Sequence, residues 1–215
     1  MSFPVIISTN CIGANFYHNY LQIPFYSPFI WAVTSYASIM NIIQQWDKIH
    51  WFNTRIEENI CKPLTYSVVV DNIFTIHYVH YFKSSEHDLL YKGASVFSNK
   101  IEEFIMNKYN ERTKRMLTYG DMNNPYFICH EENQFNRSYK DLTNIGSMKS
   151  PFKRVIITDK QLNTSKFTQD VLLLHEDKIQ LPEPTILKYG HAIKTFFGIS
   201  NFENKIDLAN INTHQ

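Results

Sequence analysis

Apolar runs separated by polar turns define the first elements of the chain. Residues 3–8 predict a buried strand, and residues 11–21 predict a helix that Asn10 caps through its side-chain oxygen. A second helix is predicted from about Ser35, because four apolar residues recur there with helical spacing. These residues are Ile39, Ile42, Ile43 and Trp46.

Two β-branched and aromatic runs, at residues 66–70 and 73–79, predict a β-hairpin around Asp71-Asn72. Side chains alternate between the two faces of a strand, so His77 and His80 point in opposite directions. The apolar face of the second strand is expected to pack on the core, against the helix that follows Cys11. That face comprises Phe74, Ile76, Tyr78 and His80.

The rest of the chain alternates helices and short strands. A long helical region is predicted from about Ser84, with Arg112 and Arg115 near its polar end and Asn123-Asn124-Pro125 ending it. Residues 130–153 predict loops. The predicted elements around them are strands at 126–129, 155–158 and 171–174, and a last helix at 185–197 that Gly198 ends. The alternation predicts an α+β or α/β fold, with additional helices and short strands in the C-terminal third.

Composition narrows the functional classes. The chain has 215 residues, enough for a single domain over 1–215, and 44% of them are hydrophobic. A net charge of +1 gives no electrostatic argument for nucleic acid binding, and no run is long enough to span a membrane. The three cysteines match no zinc-site spacing, and residues 1–4 lack the basic region and the long apolar segment that predict a secretory signal. We therefore expect a cytoplasmic protein without a metal or other cofactor.

Asn10-Cys11 is the candidate catalytic position. Unpaired N–H groups and the helix dipole at a helix start favour the thiolate, which is the nucleophilic form of cysteine. His80 is the candidate base, because it ends the face of its strand that points to the core. Asn10 either caps the helix or helps to bind an oxyanion, for which the Cys11 N–H is a further donor. The candidates for orienting the imidazole are His130-Glu131, after the strand that begins at Tyr126, and Asp159, after the strand that begins at Val155.

Four sequence blocks stand out along the first 130 residues. They are Ile7-Ser8-Thr9-Asn10-Cys11, Ser27-Pro28-Phe29-Ile30-Trp31, Ile76-His77-Tyr78-Val79-His80-Tyr81, and Asn110-Glu111-Arg112-Thr113-Lys114-Arg115 ahead of Tyr126. Together they resemble a bacterial family of predicted papain-like cysteine peptidases of unknown function, and a related uncharacterised family of exopolysaccharide-biosynthesis proteins. The resemblance implies a papain-like Cys-helix followed by a hairpin or sheet. It covers residues 1–130 as a family-like core and leaves 131–215 as a C-terminal elaboration.

The resemblance implies a Cys-His hydrolase or acyltransferase that acts on an amide or ester, with cell-surface polysaccharide biosynthesis as the pathway it suggests. Trp31, Arg112 and Arg115 are the candidate residues for binding a small-molecule or glycan substrate, and partner enzymes of that pathway are expected. The chain has Ile30 and Tyr81 where the peptidase-like family usually has acidic residues. This departure favours an alternative, a non-catalytic polysaccharide-pathway binding protein. A nucleotide-sugar glycosyltransferase ranks third, because the chain lacks a Gly-rich phosphate loop and an Asp-x-Asp motif.

Overall fold

The computed structural model describes residues 2–23, 27–58, 66–78, 98–131 and 139–200. These residues form a mixed α+β structure with one parallel and one antiparallel sheet, which confirms the predicted fold class. The helix after Cys11, the hairpin and the helices and strands of the C-terminal third are all present.

Strands and helices follow one another along the described residues, with the following bounds. The strands are β1 (Phe3–Ser8), β2 (Ala32–Thr34), β3 (Thr54–Glu58), β4 (Tyr66–Val70), β5 (Phe74–Tyr78), β6 (Gly120–His130), β7 (Arg154–Thr158) and β8 (Val171–His175). The α-helices are α1 (Ile12–Asn15), α2 (Tyr36–Gln45), α3 (Ser98–Tyr119), α4 (Tyr139–Ser147) and α5 (Pro182–Phe197). A π-helical turn (Phe16–Tyr20) continues α1, and short 3-10 helices cover Trp46–Lys48 and Thr164–Lys166.

The parallel sheet has the strand order β1-β6-β7-β8 within the described residues. Every residue of β1 and β7 is buried, as expected for strands covered on both faces, and each strand contains a run of consecutive apolar residues. β6 is longer than the predicted strand and is irregular opposite Pro4 and Ile6. Asn123-Asn124-Pro125 therefore lies within β6 instead of ending the preceding helix, which already ends at Tyr119. A bulge tolerates Pro125 because proline has no N–H to donate to a regular ladder.

The antiparallel sheet has the order β2-β5-β4-β3 within the described residues. Asp71 and Asn72 both adopt positive φ, 50° and 55°, at the predicted turn between β4 and β5. The buried face of β5 packs on α2 and on an aromatic cluster, where the Phe74 ring contacts Phe29 and Trp51. The prediction that this face packs against the helix after Cys11 was therefore wrong: the face packs on α2, and α1 packs on α5 and β1.

Apart from the short 3-10 helices, three of the elements within the described residues were not predicted. α4 lies in the polar segment expected to form loops, and its apolar residues Leu142 and Ile145 are buried against the core. β2 and β3 are short, and β3 carries the alternating polar sequence of an edge strand, Thr54–Glu58. Short segments of this kind become strands only when a neighbouring strand pairs with them.

Two cationic side chains at the start of β7 donate hydrogen bonds to carbonyl oxygens at the C-terminal ends of two helices. Lys153 Nζ donates to the carbonyl oxygens of Phe196 (2.7 Å) and Phe197 (3.4 Å), at the end of α5. Arg154 Nη1 donates to the carbonyl oxygens of Ile145 (2.8 Å) and Met148 (2.6 Å), at the end of α4. Successive side chains of a strand point to opposite faces, so the two cations serve helices on different sides of the sheet. Each supplies donors to carbonyls that a helix end leaves without partners.

Arg154 is fully buried and also donates to Phe152 O and Thr168 Oγ1. Replacing Arg154 with Met would leave these buried acceptors without their donor, and we expect a loss of about 3 kcal/mol in the free energy of unfolding. Urea unfolding monitored by circular dichroism measures this loss. Lys166→Met, at an exposed position, is the control and should change stability by less than about 0.5 kcal/mol. Equal stabilities of the two variants would contradict the capping role of Arg154.

Candidate functional site

The carboxyl ends of the parallel strands carry polar residues along one edge of the sheet. Open sheets of this kind bind ligands outside the carboxyl ends of their strands. The residues at this edge are Thr9, Asn10 and Cys11 after β1, His130 and Glu131 at the end of β6, Thr158, Asp159 and Lys160 at the end of β7, and His175 and Glu176 at the end of β8. Several of them are buried, including Asn10, His130, Glu131 and Glu176.

Thr9 joins the end of β1 to the end of β6. Its Oγ1 donates to the backbone oxygen of His130 and accepts from the backbone nitrogen of the same residue, both at 3.0 Å. Its own backbone nitrogen donates to Ile128 O (3.1 Å), and its carbonyl accepts from Thr34 N (3.1 Å) in the antiparallel sheet. Hydrogen bonds of Thr9 thus connect the residues after β1 with β6 in the parallel sheet and with β2 in the antiparallel sheet.

Two hydrogen bonds to other described residues define the orientation of the Asn10 side chain. Its Oδ1 accepts from the backbone nitrogen of Ile12 at 3.0 Å, so it satisfies one N–H of the first turn, although the residue at the cap position of α1 is Cys11 and not the predicted Asn10. Its Nδ2 lies 3.0 Å from His130 Nδ1. Asn10 therefore connects the first turn of α1 with the end of β6.

Cys11 is the residue immediately before α1 and carries a half-buried thiol. Its carbonyl oxygen accepts from both nitrogens of Asn15, the backbone N (3.0 Å) and the side-chain Nδ2 (3.1 Å). The N–H groups of Ile12 and Gly13 are bonded within the chain, to Asn10 Oδ1 and to Ser8 Oγ (3.2 Å). In this conformation, these two N–H groups are therefore bonded to side chains of the turn that contains Cys11.

The Gly13 position requires glycine because of the Ser8 side chain. A Cβ added there would lie 2.5 Å from Ser8 Oγ, closer than real Cβ contacts allow. Ser8 Oγ also donates to Asn10 O at 2.7 Å. Because Gly13 has no Cβ, its backbone can lie close to the Ser8 side chain in the turn that contains Cys11.

His130 lies behind Asn10 and is buried, with a side chain that is 0% exposed. Burial lowers the pKa of His130 from 6.5 to about 4, so the ring is neutral near pH 7. Its Nε2 has no hydrogen-bond partner among the described residues, and Glu176 Oε2 lies 3.9 Å away. Glu176 is itself held by Thr185 Oγ1 (3.0 Å) and Gln180 N (3.2 Å), around the start of α5.

Glu131 and Lys160 form a second polar group at the same edge. Glu131 accepts hydrogen bonds from Thr158 Oγ1 and from Lys160 Nζ. Because Glu131 is buried and Lys160 is partly exposed, the ammonium neutralises a carboxylate that would otherwise be costly to bury. Of the two candidates for an orienting acid, Glu131 is engaged in this ion pair, and Asp159 is exposed at the end of β7.

Trp31 and Arg112 come together although they are distant in sequence. Arg112 Nη1 donates to Ile30 O at 2.9 Å, and the Trp31 ring stacks on the His18 ring with centroids 6.1 Å apart. Burial, followed by the charge of Arg112, lowers the pKa of His18. Arg115 lies one helical turn after Arg112 and is half-buried. Three of the chain's segments thus meet at an aromatic and cationic cluster of His18, Trp31 and Arg112.

Cys11 and Asn10 thus lie together at the carboxyl edge, as adjacent residues must, while His80 lies outside the described residues. His77 lies on the less buried face of β5, as predicted, and its Nδ1 is 2.7 Å from Ser67 Oγ on the neighbouring strand. Glu176 and His18 were not identified from the sequence. Glu176 could have been found from the sequence, because polar residues directly follow each short buried strand. Nothing in the sequence distinguishes His18, which lies inside a helical segment.

Comparison with known proteins adds no family to this geometry. No protein-family model matches the chain, and no curated protein matches it. None of the helices within the described residues is both long and apolar enough to cross a membrane. Across the same described residues, no three His, Cys, Asp or Glu side chains are grouped to hold a metal ion.

The buried neutral state of His130 makes stability depend on pH. The unfolded chain, with an ordinary histidine pKa near 6.5, binds a proton that the folded protein does not bind until about pH 4. Stability should therefore fall as pH decreases from about 6.5 to 4, by at most about 1.4 kcal/mol per pH unit for this group. Burial lowers the pKa values of His18 and His77 as well, so their contributions have the same sign.

His130→Gln isolates the contribution of this residue, because His18 and His77 are retained. We expect a smaller slope of unfolding free energy against pH in the variant than in the wild type, measured by urea unfolding between pH 7 and 4.5. Identical slopes would show that His130 is not buried in its neutral form.

Proposed function

We propose that the protein is a cysteine-dependent hydrolase or acyltransferase that acts on an amide or ester, with Cys11 as the nucleophile. The observation that supports this most directly is the position of Cys11. A partly accessible thiol precedes a helix at the carboxyl edge of a parallel sheet, in a turn held by Thr9 and Asn10. Ligands commonly reach this edge of an open sheet, and a thiolate is a strong nucleophile toward carbonyl groups.

The proposed reaction has two half-reactions. The base takes the proton of the Cys11 thiol, the thiolate attacks the carbonyl carbon of the substrate, a C–S bond forms, and the carbonyl electron pair moves to oxygen. The intermediate collapses as the C–N or C–O bond breaks, and the leaving group takes a proton from the base, for which His80 remains the candidate. Water, in a hydrolase, or an acceptor hydroxyl, in a transferase, then attacks the thioester, loses its proton to the same base and releases Cys11.

The substrate in this proposal is a glycan or a small molecule of a cell-surface polysaccharide pathway. The aromatic and cationic cluster supports this choice, because an indole face packs on sugar rings and a guanidinium binds carboxylate or phosphate groups. Trp31 and Arg112 are the residues proposed to bind it, with Arg115 one turn away. The cytoplasm as the compartment and partner enzymes of the pathway there are part of the same proposal; within the described residues, Cys11 and Cys129 form no disulfide, as is usual for cytoplasmic proteins.

A non-catalytic glycan-binding protein is the second candidate, and one observation favours it. Two N–H groups that begin α1, those of Ile12 and Gly13, are bonded to Asn10 and Ser8. An oxyanion at this helix start would have to compete with those side chains. In this alternative the turn around Cys11 is a structural element, and binding by the aromatic and cationic cluster is the function.

Acyl transfer to Cys11 tests the first candidate. A general acyl donor, p-nitrophenyl acetate, should acetylate Cys11, and peptide mapping by mass spectrometry should locate the acetyl group there. Cys11→Ala should abolish release of p-nitrophenol from this site. Cys129→Ala is the matched control, because burial raises the pKa of the Cys129 thiol to about 12 and keeps it unreactive. Unchanged release by Cys11→Ala would contradict the enzymatic proposal.

Binding of an anionic oligosaccharide tests the role of the aromatic and cationic cluster, whichever candidate is correct. Trp31→Ala should weaken binding about tenfold, the effect of losing an aromatic contact worth about 1.4 kcal/mol. Isothermal titration calorimetry with acidic oligosaccharides from bacterial capsules gives the dissociation constants. Phe52→Ala removes an exposed aromatic side chain outside the cluster and should leave binding unchanged. Equal effects of the two substitutions would contradict the assignment of Trp31.

A further inference from the structure

The amide of Asn10 has a single orientation that satisfies both of its neighbours. The backbone nitrogen of Ile12 can only donate, so the Asn10 atom that faces it is the acceptor Oδ1. The other end of the amide, Nδ2, then faces His130 Nδ1 at 3.0 Å and can only donate to it. His130 Nδ1 must therefore accept, and the proton of the neutral ring lies on Nε2.

The protonated nitrogen of His130 faces a carboxylate. Glu176 Oε2 lies 3.9 Å from His130 Nε2, and both side chains are buried, at 0% and 1% exposure. Glu176 is the titratable group that faces Nε2 among the described residues, while Glu131 is paired with Lys160. Glu176 also accepts from Thr185 Oγ1 and Gln180 N. Hydrogen bonds from Ile12 N through Asn10 to His130, and the approach of Glu176 to 3.9 Å from His130 Nε2, thus connect the start of α1 with the start of α5.

We propose that Asn10, His130 and Glu176 form a buried positioning unit that sets the orientation of Cys11 by holding His130 in its Nε2–H form. A proton on Nδ1 would face the Asn10 amino group. Asn10 would then have to rotate and release Ile12 N, and Cys11 lies between these two residues. The role of the unit in catalysis rests on the proposed function, whereas the ring state and its effect on the thiol do not.

The experiment compares the wild-type protein with Asn10→Asp. Two-dimensional ¹H–¹⁵N NMR of the imidazole ring should show the Nε2–H form of His130 in the wild type near pH 7. The carboxylate introduced by Asn10→Asp would still accept from Ile12 N, but it would also require a proton on His130 Nδ1. We therefore expect an Nδ1-protonated ring in the variant. The alkylation rate of Cys11 by iodoacetamide, followed by peptide mapping, should change about fivefold, the factor expected from one net hydrogen bond.

Asn163→Asp is the matched control. Asn163 Oδ1 accepts from Ser165 N (3.1 Å), two residues on, as Asn10 Oδ1 accepts from Ile12 N, but Asn163 is exposed. This control should leave both the His130 signals and the Cys11 alkylation rate unchanged. An Nδ1–H ring in the wild type would overturn the proposal, and this measurement needs no variant. A folded Asn10→Asp protein with unchanged Cys11 alkylation would overturn it too. If the Cys11→Ala experiment contradicted the enzymatic proposal, the NMR signals of His130 and the alkylation rate of Cys11 in the wild-type and Asn10→Asp proteins would still test the positioning unit.

Discussion

The parallel pairing of β1 with β6 is the constraint on which the rest of the structure depends. It joins residues about 120 positions apart, and it ends in the two hydrogen bonds between Thr9 and His130. This register places Asn10 beside His130 and leaves Cys11 at the open edge of the sheet. Because side chains alternate along a strand, a shift of one residue would turn His130 to the opposite face of the sheet.

The sheet also determines how the helices around the site end and begin. Lys153 and Arg154, at the start of β7, supply donors to the ends of α5 and α4. At the other edge of the sheet, Glu176 after β8 accepts from residues around the start of α5. One helix is thus held at both ends by residues adjoining the parallel strands. The position of Glu176 opposite His130 follows from this arrangement.

The candidate site combines features that favour chemistry with features that favour a structural role. Cys11 is accessible and lies where ligands reach open sheets, yet the neighbouring N–H groups of α1 bond to Asn10 and Ser8. Burial of His130 keeps its ring neutral and makes it suited to positioning through hydrogen bonds, not to exchanging protons with solvent. The binding role proposed for the aromatic and cationic cluster does not require Cys11 to react.

The sequence by itself determined the local features whose causes are local. Apolar runs indicated β1, β7 and β8, and helical spacing indicated α2. The bond from the start of α1 to the Asn10 oxygen was also predictable, because it spans only two residues, although the cap position itself belongs to Cys11. Tertiary structure decided the features that depend on distant partners. β2 and β3 became strands through pairing with β5 and β4, and Pro125 entered β6 at a bulge. Glu176 faced His130 only because parallel strands bring their carboxyl ends together, and a sequence pattern does not specify which strands will be neighbours.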